Sequence, residues 1–292
     1  PLGIVGASKV LSFCDYRAIN KELLSGLTNQ MDSTAKARLV KQMNEKKIST
    51  DTSVTSNRRG FEYLNELFIK RHKKILWNST KKISYVCIFL IIGVLMAIYL
   101  RPEIKPKINT MVMTWLPYFA FIMYGINRGT NFTQALFMNC DHSLLTYSFY
   151  KRPGFVLHLF QIRLREIMKI NAVPALVIGG GLALILFATG GTDNGLNYIL
   201  LIISILCMSL FFSIHYLTIY YLLQPYNAGT ELKSGTYRIV MTVTYFICFF
   251  LMQLRMSILI FGIMTIVFCV AYSIAACILV YRFAPKTFRI RT

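Results

Sequence analysis

The sequence predicts an all-α, polytopic membrane protein of about six transmembrane helices preceded by an interfacial amphipathic helix. Three observations carry that expectation. Hydrophobic residues make up 55% of the 292 and charged residues only 15%, against roughly 25% charged in an average soluble domain. The charges are segregated: after Glu103 the only acids are Asp141, Glu166, Asp193 and Glu231, all in segments read as loops. Six apolar runs also approach the ~20 residues that a hydrocarbon core of about 30 Å demands of a helix.

The six runs follow in order. They are 83–100, ended by Arg101-Pro102, and 111–125, with Pro117 inside and Asn127-Arg128 after it. Next come 172–188, with Asn171 placed as N-cap and Pro174 in the first turn, and 196–223, broken by Gln224-Pro225. The last two are 239–254, ended by Arg255, and 257–281, ended by Arg282. Basic residues then set the orientation. Segments 70–82, 126–170, 224–238 and 282–292 hold six, six, two and four of them, eighteen in all. The opposite set holds only Arg101, Lys105, Lys107 and Arg255. Positive charge marks the cytoplasmic side, so both termini are expected in the cytoplasm of a cell-membrane protein. The Asn78 and Asn131 glycosylation matches fall on that side and are read as chance.

The net charge of +20, on so apolar a chain, points to anionic inner-leaflet lipid as the partner and away from nucleic acid. The chain opens at Pro1 with no apolar run and cleavage site after it, so it reads as part of something longer with no signal peptide. Seven cysteines (14, 87, 140, 207, 248, 269, 277) lie mostly in apolar runs without paired spacing. They read as small hydrophobes, and no metal site is predicted.

Residues 1–60 read as a cytoplasmic connector and linker, polar over 15–48 and Ser/Thr/Asn-rich over 49–60. Residues 61–82 read as a basic interfacial helix. Phe61, Leu64, Phe68, Ile75 and Leu76 recur at helical spacing, Lys70, Arg71, Lys73 and Lys74 lie mainly elsewhere, and Trp77 stands near the end. The six-span domain is 83–282, and 283–292 is a cytoplasmic tail.

The loop 128–170 carries the most information, because loops this long without structure of their own are uncommon. Its first part presents Leu136, Phe137, Met138, Leu144, Leu145, Tyr147, Phe149 and Tyr150 just outside the membrane, where such groups need lipid or protein to cover them. Asp141 is placed as a helix N-cap. Residues 155–170 then form an amphipathic helix, with Val156, Leu159, Phe160, Leu164 and Ile167 on one face, leading straight into the third span. Cys140, Asp141 and His142 invite a membrane-peptidase reading. Successive side chains on a helix point apart, so a docking role is preferred and no catalytic residue is assigned.

Inside the spans the one ionisable side chain of note is His215, placed on a translocation path. Coupled secondary transporters bury carboxylates near mid-membrane, and none is here. Gly179-Gly180-Gly181 and the stripe Cys269, Ser273, Cys277 read as close-packing surfaces. No phosphate-binding glycine loop, zinc motif or nucleophile elbow occurs.

Six spans, a preceding basic helix (Tyr63-Leu64-Asn65-Glu66-Leu67-Phe68-Ile69-Lys70-Arg71-His72-Lys73-Lys74) and a structured loop containing Asn139-Cys140-Asp141-His142-Ser143-Leu144-Leu145 resemble one known arrangement. It is the permease subunit of type-2-class ATP-binding-cassette exporters, and a bacterial branch of putative exporters in particular. The resemblance covers 61–282. It implies a transport subunit that performs no chemistry and binds no cofactor, with ATP on a cytoplasmic ATPase partner. It further implies that Phe137, Asp141, Leu144, Leu145 and Tyr147 couple to that ATPase, and that a second six-span half or a second copy completes the path. The cargo is a lipid, drug or hydrophobic peptide. The alternatives are a membrane peptidase or a scaffold recruiting a cytoplasmic partner. One departure stands out: the class has re-entrant helices between spans five and six, and 252–257 leaves room only for a tight turn.

Overall fold

The computed structural model describes residues 21–22, 24–25, 57, 59–226 and 234–289. Contacts divide the chain into Pro1–Ile48 and Ser49–Thr292. In the first unit Lys21, Glu22, Leu24 and Ser25 are helical, and the Ser25 hydroxyl donates to the Glu22 carbonyl at 2.8 Å. Apart from residues 57, 59 and 60, the rest of the expected connector, with Cys14, lies outside the described residues, as do Lys233 and the end of the tail.

In the second unit every regular element among the described residues is a helix: α1 (Gly60–Arg71), α2 (Lys73–Leu100), α3 (Lys105–Thr114), α4 (Tyr118–Ile126), α5 (Gly129–Leu136), α6 (Pro153–Ala188), α7 (Leu196–Leu223), α8 (Gly235–Gln253) and α9 (Ile258–Thr287). Five of these, α2, α6, α7, α8 and α9, are long and apolar enough to cross a membrane. On α2 the large side chains Tyr85, Phe89, Ile92, Met96 and Tyr99 stand exposed. A surface of this kind suits hydrocarbon, where each helix satisfies its own backbone. The chain is a multi-pass membrane protein.

The second expected span is the correction. Residues 111–125 do not form one helix, because Pro117 has no N–H to continue the α-helical ladder. The chain turns tightly there instead. Tyr118, Phe119 and Ala120 donate to the carbonyls of Trp115, Leu116 and Pro117 at 3.0–3.1 Å, each three residues back. That frees the Thr114 carbonyl, which accepts from the Met256 N–H at 3.0 Å, while the Arg255 guanidinium lies 3.7 Å above the Trp115 ring centre. Neither α3 nor α4 is long enough to cross by itself. Together they carry the chain from one end of the bundle, where Asn109 donates to the Gly191 carbonyl at 2.9 Å, to the other, where the Arg128 N–H donates to Asn171 Oδ1 at 3.0 Å. The α8–α9 connection is the tight turn expected, Leu254 to Ser257.

Two further boundaries differ from expectation. The basic helix ends at Arg71, turns at His72, and residues from Lys73 onward belong to the long helix α2. Asn171 caps nothing and Pro174 opens nothing, since α6 runs unbroken through both. The amphipathic stretch enters the span in helical phase, so the Asn171 amide becomes an inter-helix group, donating to Ser213 Oγ at 2.9 Å. The glycine triplet serves two neighbours: Gly179 faces the Ile202 backbone of α7 and Gly181 faces Ile91 of α2. Helices α6 and α7 form the centre, and α2, α8 and α9 flank them with mostly exposed central stretches.

Candidate functional site

Two arrangements have the character of sites. The first is at the basic end of the bundle. Helix α5 presents Phe132, Thr133 and Leu136 inward, and a π-helical turn, Phe137–Asp141, follows it. Such turns carry an extra residue per turn and shift the register of what comes next. Here the turn leaves both Phe137 and Asp141 wholly buried. Opposite them, Arg163 occupies the inward stripe of α6 formed by Val156, Leu159, Phe160, Ile167 and Ile170, and is 2% exposed.

Asp141 and Arg163 form a two-pronged ion pair, Nη1 to Oδ2 at 2.8 Å and Nη2 to Oδ1. The carboxylate also accepts from the Tyr220 hydroxyl at 2.6 Å and the Tyr150 hydroxyl at 3.2 Å. Arg163 Nη1 donates to the Tyr221 hydroxyl at 2.8 Å, and its Nε donates to Asn65 Oδ1 at 3.2 Å. One buried pair thus fastens α1, the π-turn, α6 and α7 together. Burial, then the neighbouring Asp141 charge, push the Tyr150 phenol above its ordinary range, so the tyrosine stays a donor. Phe288, just past α9, stacks on Tyr221 at 4.5 Å and lies edge-on to Tyr220 at 5.1 Å, bringing a third long helix to the cluster.

The five residues placed on the coupling surface therefore separate. Asp141 and Phe137 are interior, Leu145 is buried and Leu144 partly so. Tyr147 is 56% exposed and stacks on Phe149 at 5.4 Å, with Lys151 and Arg152 exposed beyond it. The expected N-cap at Asp141 is absent, because its carboxylate is committed to Arg163 and the tyrosines. Cys140 and His142 do not pair. Burial pushes the Cys140 thiol up to about 11, whereas a nucleophilic cysteine needs a lowered value. His142 is exposed, its ring edge-on to Phe137 at 5.7 Å. Of the interface residues, Lys73 and Lys74 are exposed, Lys70 pairs with Glu66 at 2.8 Å, Arg71 is half-buried, and Trp77 packs against the buried cluster.

The second arrangement contains His215. A cavity of about 440 Å³ lies among α4, α7, α8 and α9, within the 300–1,000 Å³ usual for ligand pockets. Phe211, Phe212, Phe261 and Phe268 form much of its wall. His215 bridges the helices around it: Nδ1 lies 2.8 Å from the Tyr272 hydroxyl on α9, and Nε2 lies 3.0 Å from Thr244 Oγ1 on α8. No group of three or more potential metal ligands occurs among the described residues.

Sequence reasoning placed Asp141 and His215 but missed Arg163 and Tyr220. A signal existed, since Asp141 and Arg163 are opposite charges that each interrupt an apolar stripe. No protein-family model, no curated protein and no solved structure matches the chain.

Proposed function

We propose that the chain is the membrane-spanning permease subunit of an ATP-driven exporter, moving an apolar or amphipathic cargo and driven by a separate ATPase on its cytoplasmic side. The observation that carries this reading is the buried Asp141–Arg163 pair. It makes the 129–152 segment a platform fastened to two central membrane helices, α6 and α7. A partner pushing on such a platform moves those helices, which is what coupling demands. The apolar cavity supplies space for cargo in the same bundle. Tyr147, Lys151 and Arg152 are the contact residues, being the exposed part of the platform. Phe137, Asp141 and Leu145 act from beneath as its foundation.

The test compares Tyr147→Glu with the parent chain in its own membranes. The variant should lose a co-purifying ATPase and nucleotide-dependent efflux of a fluorescent amphipathic dye, while eluting as the same folded species. Retention of both activities by Tyr147→Glu combined with Lys151→Glu would contradict the docking surface. Efflux that persists without ATP would contradict the permease reading itself.

A further inference from the structure

We infer that the cavity around His215 is a binding site for a neutral lipid alcohol: a largely apolar molecule whose single polar group donates a hydrogen bond. The inference rests on the permease reading only in calling that molecule cargo. Binding stands on the cavity alone.

The proton bookkeeping of the wall leads to the ligand class. Thr244 Oγ1 donates its hydrogen to the Val240 carbonyl at 2.9 Å, so toward His215 it can only accept. His215 Nε2 must therefore carry the hydrogen, and in a neutral imidazole Nδ1 is then an acceptor. The Tyr272 hydroxyl donates to it. Thr265 Oγ1 is committed likewise, donating to the Phe261 carbonyl at 2.8 Å. With no carboxylate on the wall, nothing holds a second proton on the ring. Every hydroxyl and imidazole hydrogen facing the cavity is spoken for. What remains are lone pairs on the Tyr272, Thr244 and Thr265 oxygens.

A nearly apolar cavity whose few polar atoms are acceptors selects a largely apolar molecule that carries a donor. A carboxylate or phosphate finds no partner there and loses its hydration, which costs heavily in an apolar site. A hydrocarbon finds the aromatic wall but leaves the polar cluster unused. An alcohol uses both, laying its chain against Phe211, Phe212 and Phe268 and donating to Tyr272 or Thr244.

The experiment photolabels the purified full chain in lipid nanodiscs with a diazirine-bearing hexadecanol, its methyl ether and the corresponding fatty acid. The alcohol should label peptides of α7 and α9 saturably, and about 10-fold more strongly than the ether, as one hydrogen bond implies. Tyr272→Phe alone bares the His215 Nδ1 lone pair to the alcohol, so Tyr272→Phe combined with His215→Leu should remove most of that preference, with folding unchanged by size-exclusion elution. Should that variant fail to fold, Thr244→Val tests the same preference from the other acceptor. Equal labelling by alcohol and ether, or stronger labelling by the acid, overturns the inference. So does labelling spread over lipid-facing α2. Saturable alcohol binding by a chain that drives no efflux overturns the permease reading and leaves the site standing. Efflux without cavity labelling does the reverse.

Discussion

Removing the charge of Asp141 should be more costly than removing that of Arg163, although the two form one pair. The carboxylate accepts from Arg163 twice and from Tyr150 and Tyr220. Asp141→Asn is nearly isosteric, so it opens no cavity. It leaves a wholly buried guanidinium with neutral partners only, the new amide oxygen, Tyr221 and Asn65, and arginine does not shed its proton. Breaking a buried pair this way costs about 3–5 kcal/mol. Arg163→Met leaves a carboxyl that keeps two tyrosine donors and can take up a proton, so about 2 kcal/mol is expected. The double variant removes both charges and keeps an amide facing the tyrosines, and should be more stable than Asp141→Asn alone. For a chain of this size these costs correspond to a fall in Tm on the order of 10 °C for Asp141→Asn and half of that for Arg163→Met. Thermal unfolding of detergent-solubilised protein, followed by loss of the monodisperse peak, reads them. If Arg163→Met proves the worse, or the double variant falls below both singles, the buried pair is not what fastens the platform.

Three further outcomes follow from particular side chains. Raising the Cys140 thiol from 9.0 to about 11 cuts its thiolate fraction about 100-fold, so maleimide labelling at neutral pH should be correspondingly slow until denaturant is added. A fast reaction in the folded chain would contradict its burial. Burial lowers the His72 pKa below the usual 6.5, so the folded state takes up the proton less readily than the unfolded chain. The stability this contributes is present above pH 6.5 and lost as pH falls through the lowered value. In a Trp115→Phe background, Trp77 fluorescence should change below pH 6.5, and His72→Gln should abolish that change. Gly129 has the Tyr216 Cβ and ring where a Cβ would stand, so Gly129→Ala should destabilise by roughly 1–3 kcal/mol, and Tyr216→Ala, which keeps the Tyr216 Cβ, should not relieve the clash.

Much of the architecture was legible because lipid leaves a chain few options. Spans one, three, four, five and six each match a long apolar helix, and the tight 254–257 turn followed from the shortness of the interval. The second span failed at Pro117. Its place inside the run was visible, but the consequence, a freed Thr114 carbonyl taken up by Met256, depends on a segment some 140 residues away. Asn171 misled for a related reason. An asparagine before a proline and an apolar run looks like a cap, yet the preceding amphipathic stretch continues the same helix. At the candidate site the 128–170 segment was singled out by length and aromatic content. Its inside and outside were exchanged: Phe137, Leu145 and Asp141 were placed on the surface, and the π-turn that buries them has no signature in the residue pattern.

The two candidate sites are joined through α7. His215 and Tyr220 are five residues apart on one unbroken helix, a rise of about 7.5 Å. Helix α9 shares both connections, through the Tyr272 bond to His215 and through Phe288 on Tyr221. Helix α8 is held differently. Its aromatic contacts run to α4, Tyr245 against Phe121 at 5.7 Å and Tyr124 at 6.3 Å, and its polar tie to α7 at the cavity is the His215–Thr244 bond. On the permease reading, a push on the platform would be delivered to α6 and α7, and with them α9, while α4 and α8 form the opposite wall. The cavity lies between those two groups of helices. Tyr124 of α4 also packs on Phe212 and Tyr216 of α7 at 5.7 and 6.5 Å, so the His215–Thr244 bond is the polar one among several ties across the cavity, and the one that a donor ligand at Thr244 meets directly.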